Sequence, residues 1–327
     1  MKRFFLPAVL LSVLLALTSC GGRVKTDSAA AFPAEEILLT VPFAPGGSAG
    51  FTAEAIAGGL AKSLGVPVTI DYIEGENGAL GASAVAHGAD DVSRVLLGST
   101  GTLVILPCRG LSDYAAADLR PIAGIAEFPS VLAVPADSEF QTLSDLADAM
   151  RDRPGEVHIG SAGLGGIDHI AAACFCEANG LSPLHISYDD PRHAVWDLLE
   201  GSLPVLCVAN VSVLVPALDG RVRVLGVFAD ERLSMLPDVP TVAEAGGGEG
   251  LEFGIRYGLF LPADADDRTA AALERAAAQT LEDETVRALL RDSLAEPFYR
   301  SAEDYAKRLA ADRQCCETGL RALGLLT

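Results

Sequence analysis

Apolar positions along this chain fall into short runs separated by stripes at helical spacing. Ile37 to Phe43 reads as a buried strand, and Phe51 to Leu64 as a helix stopped by Gly65. Val66 to Ile70 is again strand-like, and a glycine-rich turn at Gly75 to Gly78 leads into Leu80 to Ala86. Short strands are expected at Val95 to Gly98 and Val131 to Val134, with a helix at Leu143 to Met150. The next unit runs from strand Val157 to Gly160 through a glycine-rich turn to a helix at Ile167 to Asn179, ended by Gly180. His185 to Tyr188, Val205 to Ala209 and Val222 to Phe228 complete a second strand set. Such alternation predicts an α/β protein with mostly parallel sheets. No solenoid-length repeat or low-complexity segment interrupts it.

The first residues break this rhythm. Met1-Lys2-Arg3 is basic, and Phe4 to Leu17 is apolar apart from Ser12, too short a run for a membrane span. It ends in Leu17-Thr18-Ser19-Cys20-Gly21, which resembles a bacterial lipobox. That resemblance implies a signal peptide over residues 1–19, a lipid on the Cys20 sulfur and a small, polar tether over residues 20–36. No later stretch is apolar enough to span a bilayer, so the rest is expected to be extracytoplasmic, soluble and anchored by lipid. Charge adds an exclusion. Asp and Glu number 44 against 24 Lys and Arg, a formal net charge of −20, and such a surface repels nucleic acid.

Besides Cys20 there are Cys108, Cys174, Cys176, Cys207, Cys315 and Cys316. Their spacing to His169, His185 and His193 fits no standard zinc pattern, so no metal is expected. Buried or disulfide-linked thiols are the reading, with the pairing open.

Two places share one design. The first strand ends in Pro45-Gly46-Gly47-Ser48 before a helix, and strand Val157 to Gly160 ends in Ser161-Ala162-Gly163-Leu164-Gly165-Gly166 before another. In each, glycines let backbone N–H groups approach a ligand and the helix start favours negative charge. Two such loops, one domain apart at strand carboxyl ends, suggest lobes facing across a cleft. Gly46 to Gly50 also satisfies the G-x-S-x-G spacing of a serine hydrolase. However, Ser48 follows the first strand of the mature chain, and no histidine after His193 could complete a triad in the usual order. The second loop lacks the final glycine of a dinucleotide fingerprint. Ser48 is therefore read as part of an anion cradle, and the protein as no enzyme.

From Ile37 to the C-terminus the chain resembles the solute-binding receptors of tripartite tricarboxylate transporters, also called Bug receptors. The motifs that carry this, in family order, are VPFAPGGSAG, GALGASAVA, HIGSAGLGGIDHIAA, HISYDD, the diagnostic ERLSMLPDVPTVAEAG and YGLFLPADAD. The resemblance implies a two-lobed periplasmic-binding-protein fold of type II, a Venus flytrap with two lobe crossings. Residues 37–134 and 250–327 would form lobe 1, and residues 135–249 lobe 2. It implies a monomer that closes on a small carboxylate, uses no cofactor and delivers its ligand to membrane permease subunits. A ligand-sensing lipoprotein for a signalling partner is the alternative. Ligand-binding positions carried over are Ala44, Gly46, Gly47, Ser48, Ala49, Ser99, Ser161, Gly163, Gly165 and Tyr188, with His169 structural. Departures from the pattern are Gly50 for an aspartate, Asp189-Asp190 for Lys-Gly after the tyrosine, and Arg256 for a tryptophan. Arg256 is accordingly expected to reach the cleft and pair with ligand or with Asp189.

Overall fold

The structure is a computed structural model describing residues 34–88 and 93–326, so the signal peptide and Cys20 lie outside the described residues. Element order begins β1 (Ile37–Val41), α1 (Ser48–Leu64), β2 (Val68–Tyr72), α2 (Ala79–Ala86), β3 (Arg94–Ser99) and α3 (Leu106–Cys108). There follow β4 (Leu119–Pro135), α4 (Leu143–Asp152), β5 (His158–Ala162), α5 (Ile167–Ala178), β6 (Leu184–Tyr188) and α6 (Pro191–Leu199). Then come β7 (Val205–Ala209), α7 (Asn210–Leu218), β8 (Val222–Val227) and β9 (Gly254–Pro262). The chain closes with α8 (Asp267–Glu282), α9 (Glu284–Asp292), β10 (Glu296–Arg300) and α10 (Ala302–Ala322).

The α/β architecture expected from the strand–helix alternation is present. One sheet path runs β2-β1-β3-β9-β4-β7-β5-β6, with β8 and β10 also paired to β4. β1 is parallel to β2 and β3, and β5 is parallel to β6 and β7, so each half carries its own parallel set. β4 joins them, because its residues 119–129 pair with β9 and its residues 130–135 with β7 and β8. At the changeover the Ser130 N–H donates to the Phe253 carbonyl at 2.8 Å, and the Phe228 N–H to the Ser130 carbonyl at 2.9 Å. The Phe253 N–H completes the knot with a 3.0 Å bond to the Phe228 carbonyl.

Each half has its own buried core. Ile37, Leu39, Ile56, Leu97, Phe128, Leu259 and Leu273 pack in the first, and Leu132, Ile159, Ile170, Phe175, Cys207 and Phe228 in the second. Val286 and Leu290 of α9 belong to the first core. The C-terminal helix does not stay with the first half, where the sequence reading placed all of residues 250–327. Tyr305 of α10 is fully buried against Phe260 and Phe298, whereas Cys316 and Leu320, further along the same helix, pack in the second core. Gly258 of β9 makes room for it, since a Cβ there would lie 2.2 Å from the Tyr305 ring. The helix is long enough to cross both halves because 21 residues at 1.5 Å each extend about 30 Å.

Candidate functional site

The carboxyl ends of β1 and β3 in one half, and of β5, β6 and β7 in the other, carry the candidate residues. Pro42 ends β1 because it has no N–H for the ladder, and the chain turns through Gly46 at φ +80° into α1. The helix begins at Ser48, one turn earlier than its apolar stripe. Gly47 caps it with no side-chain bond, and its first turn has no acidic residue to offset the positive end of its dipole. Ala44, Gly46 and Gly47 are exposed, while Ala49 is buried in the core and presents no side chain to a ligand.

Ser48 has a partner that sequence reasoning did not name. Its Oγ lies 2.9 Å from the Tyr257 hydroxyl on β9, and Tyr257 is 3% exposed and edge-on to Phe128. Burial pushes the Tyr257 phenol up to about 12, so it stays a neutral donor or acceptor. Ser99 is directly opposite Tyr257 across the β3–β9 ladder, on the same face. Its hydroxyl accepts from the Thr102 N–H at 3.3 Å and so also caps the turn after β3. No histidine contacts Ser48 among the hydrogen bonds of the described residues.

The second loop is stiffer than the sequence implied. Gly163 at φ +69° donates its N–H to the Tyr188 carbonyl at 2.8 Å, and Gly165 at φ +70° donates to His169 Nδ1 at 3.0 Å. Both N–H groups expected to face a ligand are thus spent holding the turn. His169 is structural, as anticipated, and stacks on His185 with ring centroids 3.5 Å apart. Burial, with His185 adding to it, lowers His169 to about 4, which keeps Nδ1 an acceptor at neutral pH. Ser161 is fully buried, its Oγ 2.8 Å from His185 Nε2. Arg109, just beyond α3, reaches over from the other side and donates to the Leu164 carbonyl at 3.1 Å, bringing a cation to the loop. α5, like α1, has no side-chain cap, but its first turn holds Asp168. That carboxylate is 5% exposed and accepts from Ser130 Oγ at 2.6 Å and from the Ala209 N–H. Burial nonetheless raises it to about 6.

Tyr188 ends β6 half-buried, its hydroxyl donating to Asp197 at 2.8 Å. Of the two aspartates after it, Asp190 caps α6 and is gripped by Arg192, which holds its carboxyl down at about 2. The Asp190 charge is offset locally rather than by Arg256. Arg256 does not reach Asp189 or the cradle. It is 3% exposed, donating from Nε to Glu127 at 3.0 Å and from Nη1 to Asp312 of α10 at 2.9 Å. Arg308, itself paired with Glu252, donates to the same Asp312 oxygen at 2.9 Å. The physical reason is strand alternation: once Tyr257 turns toward Ser48, its neighbour Arg256 must face α10. The two are one residue apart, and the tyrosine, not the arginine, is on the cradle side. Among the described residues no group of three or more His, Cys, Asp or Glu side chains could hold a metal ion.

Each half thus presents a glycine-turned helix start at the carboxyl end of a parallel strand. The sequence profile described as "Tripartite tricarboxylate transporter family receptor" matches residues 52–323, and this chain belongs to that family. It is 36% identical over 255 residues to the UPF0065 protein in the tcbD-tcbE intergenic region of Pseudomonas sp. strain P51, covering 78% of this chain and 75% of that one. In three dimensions it matches a ligand-free TctC solute-binding protein from Polaromonas with TM-score 0.81 at 24% identity, over 89% of this chain and 99% of the other. MatC from Rhodopseudomonas palustris with bound malate matches at TM-score 0.71 and 27% identity, over 88% of this chain and 100% of the other. A second R. palustris protein, with adipate, matches at 0.74 and 27%, over 90% and 98%. The fold is thus the two-lobed periplasmic-binding-protein fold, as the resemblance implied.

Two outcomes follow from the buried charges. Arg256→Met leaves Glu127 buried without its counter-ion and Asp312 held by Arg308 alone, and should lower unfolding free energy by about 3–5 kcal/mol in urea titrations. Asp168 binds its proton more tightly folded than unfolded, so its contribution to stability is present below the ordinary carboxylate pKa and lost as pH rises through about 6. Between pH 4 and 6 the wild type should lose about 2 kcal/mol relative to Asp168→Asn, read from paired urea titrations at each pH.

Proposed function

We propose that this chain is an extracytoplasmic receptor that closes its lobes on a small carboxylate and delivers it to the membrane subunits of a tripartite transporter. The observation that carries the reading is the pair of helix starts without side-chain caps, α1 and α5, at the two loops whose motifs resemble the ligand loops of such receptors. Malate and adipate in the related R. palustris proteins support a carboxylate as the ligand class. The lobes divide near residues 129–130 and 253–254, with α10 spanning both. On this reading Ala44, Gly46, Gly47 and Ser48 contribute from lobe 1, with Ser99 and Tyr257 behind them. Leu164 and the first turn of α5 contribute from lobe 2, with Ser161, Gly163, Gly165 and Tyr188 shaping the loop rather than donating from it.

Such a site needs no large positive field. Backbone dipoles, a tyrosine–serine pair and bridging water hold carboxylate oxygens when both lobes are near, and neither lobe alone completes the cradle. Lipidation of Cys20, supported by the Leu17-Thr18-Ser19-Cys20-Gly21 sequence, would keep this monomer at the membrane its ligand must cross.

A thermal-shift screen against mono-, di- and tricarboxylates should raise the melting temperature with at least one of them. Ser48→Ala and Tyr257→Phe should each weaken that ligand roughly fivefold or more by calorimetry, a loss of about 1 kcal/mol. A flat screen across all three classes would overturn the ligand class. Cys20→Ala should move the protein from the membrane pellet to the soluble extracytoplasmic fraction without changing its melting temperature. Pelleting at the wild-type level would remove the lipid anchor from the reading.

A further inference from the structure

All six described cysteines are free thiols of the second core, and four of them are near α10. Cys174 of α5 and Cys316 of α10 are buried in that core, with Cys108 and Cys315 packed against it. α10 and α5 touch through a glycine, since a Cβ at Gly319 would lie 2.6 Å from Ile170 Cγ2 and 2.9 Å from Cys174 Sγ. The helices run antiparallel, because Leu325, beyond the end of α10, packs beside Gly165, just before the start of α5. One turn back from Gly319 on the same helix face is Cys315, carried toward the Cys174 end of α5. Cys174 and Cys176, two apart on α5, point to different sides, and Cys315 and Cys316 are adjacent on one helix and cannot bond each other without breaking it.

We propose that Cys174 and Cys315 form a disulfide that fastens the C-terminal helix to α5. Glycine at position 319 permits the close backbone approach that such a bond demands. The receptor family places the chain outside the cytoplasm, where thiol pairs oxidise, and to that extent the inference rests on the function proposed above. The oxidant is an external disulfide. Half-buried Cys315 attacks it as a thiolate, forming a mixed disulfide and releasing one thiol. Cys174 then gives up its proton and attacks the Cys315 sulfur, releasing the second thiol, so the protein loses two protons and two electrons and the oxidant gains them. Cys174 is nearly buried and its thiol is pushed up to about 12, which makes the second step slow in the native state. The bond therefore forms while α10 docks during folding, and once formed it is shielded from reductants.

The test is peptide mapping of the full chain after alkylation without reductant. Reduced, unfolded protein refolded in oxidised glutathione should yield one linked peptide joining Cys174 to Cys315, absent from Cys315→Ser. Reductant under partly denaturing conditions should lower the melting temperature of the linked form by several degrees and leave Cys174→Ser/Cys315→Ser unmoved. Alkylation of both thiols after refolding, or a link from either to Cys108 or Cys316, overturns the pairing. Protein recovered from the exported fraction should carry the same link. If the refolded protein has the link and the exported protein does not, the bond is chemically competent but absent in place, which overturns the proposal for the exported protein while leaving carboxylate binding untouched.

Discussion

The guanidinium of Arg256 is the joint on which the two-lobed arrangement depends. It holds Glu127 of the shared strand and Asp312 of the last helix, and Arg308 doubles the hold on Asp312 while gripping Glu252. All these charges sit where the chain passes from one lobe to the other. Burying them is costly, and Glu127 shows it, its carboxyl raised by burial although Arg256 opposes the shift. What the network provides is definition. A hydrocarbon cluster would tolerate α10 sliding along the groove, whereas paired charges allow one register.

The cradle works by a different electrostatics. A chain with net charge −20 is a poor attractor of anions over long distances, and the site answers with short-range dipoles at two helix starts. Arg109 brings one cation to the second loop, and Asp190 is neutralised by its own Arg192.

Much of the fold was legible because it is written in local signals. Alternating runs and stripes located most of the parallel strands, and Gly65 closes α1 in the left-handed conformation its position implied. α6 lies outside the sequence reading although Asp190-Pro191, a cap followed by a first-turn proline, marks its start. β4 was seen only in part. Its first half contains Pro121, Gly124 and Pro129 and pairs with β9 through two irregularities, so no clean alternation marks it. Within the site, Ser48 and the glycine turns were readable from sequence. Tyr257 was not, because its role depends on the face presented by β9, and the face is set by α10 binding Arg256 from a position 56 residues away. The commitment of the Gly163 and Gly165 N–H groups was equally hidden, since their acceptors are the end of β6 and the imidazole of His169.

The shared strand has a mechanical meaning. Because β4 runs unbroken through both lobes and is stitched at Ser130 to Phe228 and Phe253, the lobes are not separate bodies on a loose tether. They are two ends of one twisted ribbon. A change of angle between the two halves must therefore twist that ribbon near Ser130. The same serine donates to Asp168 at the start of α5, so wringing the ribbon turns the floor of the second loop with it.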